Sequence, residues 1–140
     1  MPETQAVYYR DRRGREPVDD FINELRPRAA QRAFDEACAL LNGLPPVAPP
    51  LAFPHSSQVD GELRELRCHY GRRLFRILYR RSRNLFVLLH GIEKTSGPLP
   101  ATDIAVANAR FADFQTRMEA SKRVPPRPIG QDAPPARRTT

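Results

Sequence analysis

The sequence predicts an α+β domain, a small antiparallel sheet of about four strands packed against an N-terminal helical hairpin, with a further helix towards the C-terminus. Three observations lead there. Two apolar stripes of helical period lie within residues 17–41, three strand-like runs joined by short turns fill 62–92, and a third helical stripe occupies 102–121. A chain of 140 residues has room for one domain with a modest core. The pattern places that domain at 1–121 and leaves 122–140 as a disordered Pro/Arg-rich tail.

Each element has a local reason. AVYYR (6–10) is rich in β-formers and runs into a turn-like cluster around Gly14, which predicts a short first strand. Pro17 then stands where a helix accepts it, in the first turn, and Val18, Phe21, Ile22 and Leu25 recur at helical spacing. Pro27 restarts the pattern, with Ala30, Ala33, Phe34, Ala37 and Leu41 on one side and Gly43 where a helix usually stops. Residues 44–61 are dense in proline and predict a long crossing loop. ELREL (62–66), RLFRILYR (73–80) and NLFVLLHGI (84–92) then read as an antiparallel meander, with turns at CHYGR and RSRN. After TSGPLP, Ile104, Ala107, Phe111, Phe114 and Met118 share one helical face, a stripe that predicts core rather than a cofactor site.

Composition narrows the function. Cys38 and Cys68 have neither CxxC spacing nor histidine partners, so they are expected to be buried free thiols, with no disulfide framework and no metal site. No charged-then-apolar leader opens the chain and LFVLL is too short to span a bilayer, which predicts a soluble, cytoplasmic protein. The formal charge of +7 is unevenly spread: residues 61–84 carry eight arginines against Glu62 and Glu65, whereas residues 1–60 have more acids than bases. Apart from the tail, the positive charge belongs to the predicted sheet.

Alternation along the strands sorts those arginines. Phe75, Ile77 and Tyr79 form the larger apolar set and should meet the helices, which turns Arg76 to the opposite, open face with Leu74, Leu78 and Arg80. By the same count Arg67 lies with Leu63 and Glu65, opposite Leu66. Arg67 and Arg76 are thus expected on one outer face. An ordinary salt bridge to Glu65 would account for one of them, but phosphate suits a cluster, because the guanidinium fork matches its oxygens. Arg64, Arg72, Arg73 and Arg80 would extend the positive surface, with Arg81 and Arg83 beyond, and Tyr70 or Phe53 offers a ring for an unstacked base.

REPVDDFINEL, PHSSQVDGELRELR, GRRLFRILY and FVLLHGIEKT, in this order and followed by an amphipathic helix, resemble the RelE/ParE superfamily of toxins, specifically its HigB-like, phage-associated branch, over residues 6–120. The resemblance implies the toxin of a type II toxin–antitoxin system, a ribosome-dependent endoribonuclease that cuts mRNA without metal or cofactor. In it the ribose 2′-hydroxyl attacks its own 3′-phosphate to leave a cyclic phosphate, and basic side chains stabilise the charge that develops. It also implies a helix-turn-helix antitoxin as partner. By position it assigns Arg67, Arg76 and Lys94 to the phosphate. Relatives carry basic residues where Ser57, Thr95 and Pro98 stand, and a C-terminal tyrosine of some superfamily members has no counterpart after Tyr79. Proton transfer is left to Tyr70, His55, His69 or His90 by chemistry alone, with His90 read as structural and His55 as the first to test. Two other classes stay open. One is a non-catalytic toxin-like protein that binds an antitoxin or a protein target such as gyrase, and the other a general RNA-binding module.

Overall fold

The computed structural model describes residues 5–39, 41, 56–93 and 97–120. In chain order these form β1 (Gln5–Tyr8), α1 (Pro17–Glu24), α2 (Arg28–Ala39), β2 (Ser56–Asp60), β3 (Leu63–Tyr70), β4 (Arg73–Ser82), β5 (Leu85–Glu93) and α3 (Ala101–Ala120). The five strands make one mixed sheet in the order β1-β5-β4-β3-β2. Strands β2 to β5 pair antiparallel in sequence, and β1 adds to β5 in parallel. The α+β class, the N-terminal helical hairpin and the C-terminal helix are those the sequence predicts.

The strand count is not. β2 lies within the segment expected to be a crossing loop, and its sequence SSQVD explains why it was illegible: only Val59 is apolar, and an edge strand needs a partner on one side only. The expected turns also shrink. Cys68–Tyr70 continue β3, so the loops between β2 and β3, β3 and β4, and β4 and β5 are the two-residue pairs Gly61–Glu62, Gly71–Arg72 and Arg83–Asn84. Gly43, the proline-rich stretch 44–55 and the tail 122–140 lie outside the described residues. No helix among the described residues is long and apolar enough to cross a membrane.

Apolar alternation splits the core into two layers. On one face Leu66, Cys68, Phe75, Ile77, Tyr79 and Leu88 pack with Val18 and Ile22 of α1 and with Ala30, Phe34 and Cys38 of α2. Pro17 and the acids Asp19 and Asp20 in the first turn suit the start of α1. Both thiols are buried and free here, as expected, and burial, helped by the charge of Glu36, pushes the Cys68 thiol up to about 11. Gly91 of β5 lets Phe21 lie directly on the strand; a Cβ there would stand 2.8 Å from the ring. Phe21 in turn meets Phe34 and Phe75 at centroid distances of 5.5 and 6.3 Å.

The opposite face is not open, contrary to the expectation for Arg76. Ala107, Phe111, Phe114 and Met118 of α3 bury against Val7, Tyr9, Leu63, Leu78, Val87 and Leu89. The physical reason is that this apolar stripe finds its partner on the second side of the sheet, the first being filled by α1 and α2. A polar anchor fixes the helix: the Tyr9 hydroxyl donates to Asp113 Oδ2 at 2.7 Å, and Arg117 and Arg12 donate to the same carboxylate at 2.8 and 3.1 Å. Burial pushes Asp113 up, but these three hydrogen bonds outweigh it and hold the carboxyl below its usual range. Burial, with the Asp113 hydrogen bond, pushes the Tyr9 phenol up to about 12.

Gly91→Ala is expected to lower stability by about 1–3 kcal/mol in urea unfolding, because the added methyl must displace a ring already held by two others. Tyr9 gives a second test. Its folded value lies above the ordinary value of about 10, so its contribution is complete below pH ~10 and is lost as pH rises through about 12. Denaturant midpoints measured from pH 9 to 12 should fall more steeply for the native chain than for Tyr9→Phe.

Candidate functional site

The Gly71–Arg72 loop fixes the register of β3 on β4, and that register sets Arg67 directly opposite Arg76. Two like charges so placed repel and destabilise a sheet unless an anion lies between them. Glu65 supplies it. Two residues before Arg67, and so on the same face, its Oε1 accepts from Arg67 Nε at 2.8 Å while Oε2 lies 3.5 Å from Arg76 Nε. The second contact is an ion pair too long for a hydrogen bond, and Arg76 Nε has no hydrogen-bond partner among the described residues. Arg76 NH1 donates to the Gly97 carbonyl at 2.9 Å, which ties β4 to the chain entering α3.

Burial separates the roles. The side chains of Glu65 and Arg76 are 3% and 8% exposed, that of Arg67 23%. One carboxylate faces two guanidiniums, and Arg67 is the member that reaches solvent. An acid so deeply buried is stable only while both arginines face it, since a buried ion without its partner costs several kcal/mol. His69 follows Arg67 by two residues on the same face and is exposed. In β2 the backbone of Ser57 stands opposite Glu65, so the position where relatives carry a lysine adjoins the cluster.

The other expected contacts disperse, and alternation is the reason. Arg64 and Tyr70 share the face of Leu66 and Cys68, and Arg73 that of Phe75, on the side of α1 and α2, so these three do not join Arg67 and Arg76. Arg73 is committed there to Glu93 at 2.8 Å and to the Arg26 carbonyl at 2.6 Å, and the Arg73 hydrogen bond holds the Glu93 carboxyl below its usual value. Arg72 is exposed in the loop. Arg80 shares the face of Arg76 but sits beyond Leu78, paired with Glu62 at 2.9 Å and lying over the Phe111 ring at 4.3 Å. Lys94, His55 and Phe53, expected at or near the site, lie outside the described residues.

His90 is structural in its contacts. A guanidinium can only donate, so the 3.1 Å contact of Arg110 NH1 with Nδ1 leaves Nδ1 as acceptor and puts the ring proton on Nε2, which donates to Asp103 at 2.7 Å. Both nitrogens are therefore engaged in holding α3 to β5. The network is not legible in the sequence, because Asp103 and Arg110 come from a helix 13 and 20 residues away. Glu65, expected to neutralise one arginine, bridges two.

With this geometry described, the comparison with known families is direct. Residues 20–112 match the family described as Phage derived protein Gp49-like (DUF891). The chain belongs to that family. Gp49-like proteins fall within the RelE/ParE-like toxin group of toxin–antitoxin systems, which makes this a toxin-like protein whose family implies an antitoxin partner. The matched span includes Glu65, Arg67 and Arg76 and most of α3. A search of curated proteins found no match.

Glu65→Gln keeps the shape of the bridge and removes its charge. It is expected to destabilise the fold by about 3–5 kcal/mol in denaturant titration. Glu62→Gln, at the 79% exposed partner of Arg80, should change stability by less than about 1 kcal/mol.

Proposed function

We propose that this Gp49-like protein is the toxin of a type II toxin–antitoxin system of HigB-like character that cuts mRNA on the ribosome, inhibited by a helix-turn-helix antitoxin. The observation that carries the reading is the Arg67–Glu65–Arg76 bridge: two guanidiniums held in register by one carboxylate, with Arg67 the member that reaches solvent. In the proposed reaction the 2′-hydroxyl attacks the adjacent phosphorus, the bond to the 5′-oxygen breaks, and a 2′,3′-cyclic phosphate and a 5′-hydroxyl result. Arg67 meets the phosphate oxygens as charge builds on them. Arg76, largely buried, holds Glu65 and through it the angle of Arg67. We assign proton transfer to His69, the exposed imidazole on that face, and a further phosphate contact to Lys94, next after Glu93 in sequence.

The runner-up is a toxin-like protein without catalysis that binds an antitoxin or a protein target such as gyrase. The non-basic residues at Ser57, Thr95 and Pro98 favour it. Primer extension on ribosome-associated transcripts separates the two, since new 5′ ends arise only from a nuclease.

Expression of the native chain should halt growth and yield such ends. Arg67→Ala should lower cleavage by about 10²–10³-fold with the fold retained, as for loss of one donor to a developing oxyanion. His69→Gln should lower it by about 10²-fold or more. Unchanged cleavage by both variants would remove the site assigned here.

A further inference from the structure

Exposure rises along the outer face of β3. Leu63 is fully buried, the Glu65 side chain is 3% exposed and that of Arg67 23%, and His69 is open to solvent. α3 is the cause at the buried end, where its apolar stripe closes the face over Leu63, Leu78 and Leu89. The side towards β4 is closed as well, because Arg76 and Leu74, which stand opposite Arg67 and His69, are both buried. A flexible polyanion that reaches Arg67 therefore has one course along β3: away from α3, past His69, to the loop Gly71–Arg72.

That loop is a bare projection. Gly71 takes a φ of 61°, which glycine adopts without strain, and no atom lies within 4 Å of a Cβ built on it. Arg72 is exposed and makes no hydrogen bond or ion pair among the described residues. Its neighbours in the hairpin are committed elsewhere, Arg73 to Glu93 and the Arg26 carbonyl, Arg80 to Glu62. No acid answers Arg72 either. Residues 66–84 contain no Asp or Glu, Glu65 is buried with its two arginines, and Glu93 is held by Arg73 on the far face. Of the arginines expected to extend the positive surface, Arg72 is thus the one whose guanidinium fork breaks no existing pair when a phosphate arrives. By strand rise it lies at most about 17 Å from Arg67, a span that neighbouring phosphates of one flexible strand can cover.

We propose that the β3–β4 hairpin is the track along which RNA leaves the site: the strand that gives one phosphate to Arg67 passes His69 and gives a second phosphate, remote from the reacting bond, to Arg72. Arg72 is then a binding residue. It adds affinity through charge and fixes the course of the strand, and it carries no preference among bases.

The inference rests on the proposed RNA-acting toxin, and its test uses binding alone. The full chain is titrated with a fluorescein-labelled 2′-O-methyl decaribonucleotide, which lacks the hydroxyl needed for cleavage, and anisotropy is followed over a range of salt. Arg72→Gln removes a side chain without partners, so the melting temperature should hold, yet affinity should drop about three- to tenfold. The slope of log affinity against log salt should shrink by about 0.7, the value for one phosphate contact on a single strand. Arg13→Gln removes the same charge from the exposed loop before α1 and should leave affinity within about twofold of the native chain. Equal affinity and slope for the native chain and Arg72→Gln would overturn the track. So would a loss in Arg13→Gln as large as that in Arg72→Gln, which reduces the effect to net charge, or an Arg72-dependent preference for polyglutamate over the oligonucleotide. A chain that binds through Arg72 but cuts no transcript leaves the track standing and removes the nuclease; a chain that cuts but ignores Arg72→Gln removes the track alone.

Discussion

One buried carboxylate shared by two arginines is the constraint on which this side of the sheet depends. The β3–β4 register forces Arg67 and Arg76 into direct opposition, and only an anion on the same face makes that register tolerable. Glu65 meets the need from inside the fold, at 3% exposure, and in doing so spends one edge of each guanidinium. The arrangement is asymmetric in consequence. Arg76 is drawn into the protein and bonded to the Gly97 carbonyl, while Arg67 stays at the surface, oriented but reachable.

α3 decides how much of that face an outside molecule can see. Its apolar stripe closes the middle of the sheet, and the Tyr9–Asp113–Arg117 cluster and the His90–Asp103–Arg110 network pin it along its length. What remains of that face is the ground around Arg67, the member of the bridge that reaches solvent.

Much of this was legible in the sequence. The helical stripes of α1, α2 and α3 could be read because each repeats at its period over several turns, and the arginine faces followed from alternation in RLFRILYR. The register was within reach but missed: reading CHYGR as the turn hid the pairing of residue 67 with 76, which a two-residue loop at Gly71–Arg72 gives at once. β2 was missed because an edge strand of polar residues carries no apolar signal. The covering of the outer face by α3 was not legible, because a stripe states that a helix buries one side and does not state against what. The dispersal of Arg64, Arg73 and Tyr70 to the other face could have been counted from Leu66 and Phe75, and was masked by treating the basic run as one surface.

The central claim is that the Glu65-held pair receives a phosphate through Arg67. Side-chain ¹H–¹⁵N spectra of arginine Nε, recorded while the chain is titrated with an uncleavable 2′-O-methyl oligoribonucleotide, test it at the atoms concerned. The account predicts that the Arg67 Nε–H resonance moves with saturable binding while that of Arg73, committed to Glu93 on the far face, stays in place. An Arg67 resonance indifferent to the oligonucleotide, in a chain that nevertheless binds it, would contradict the account.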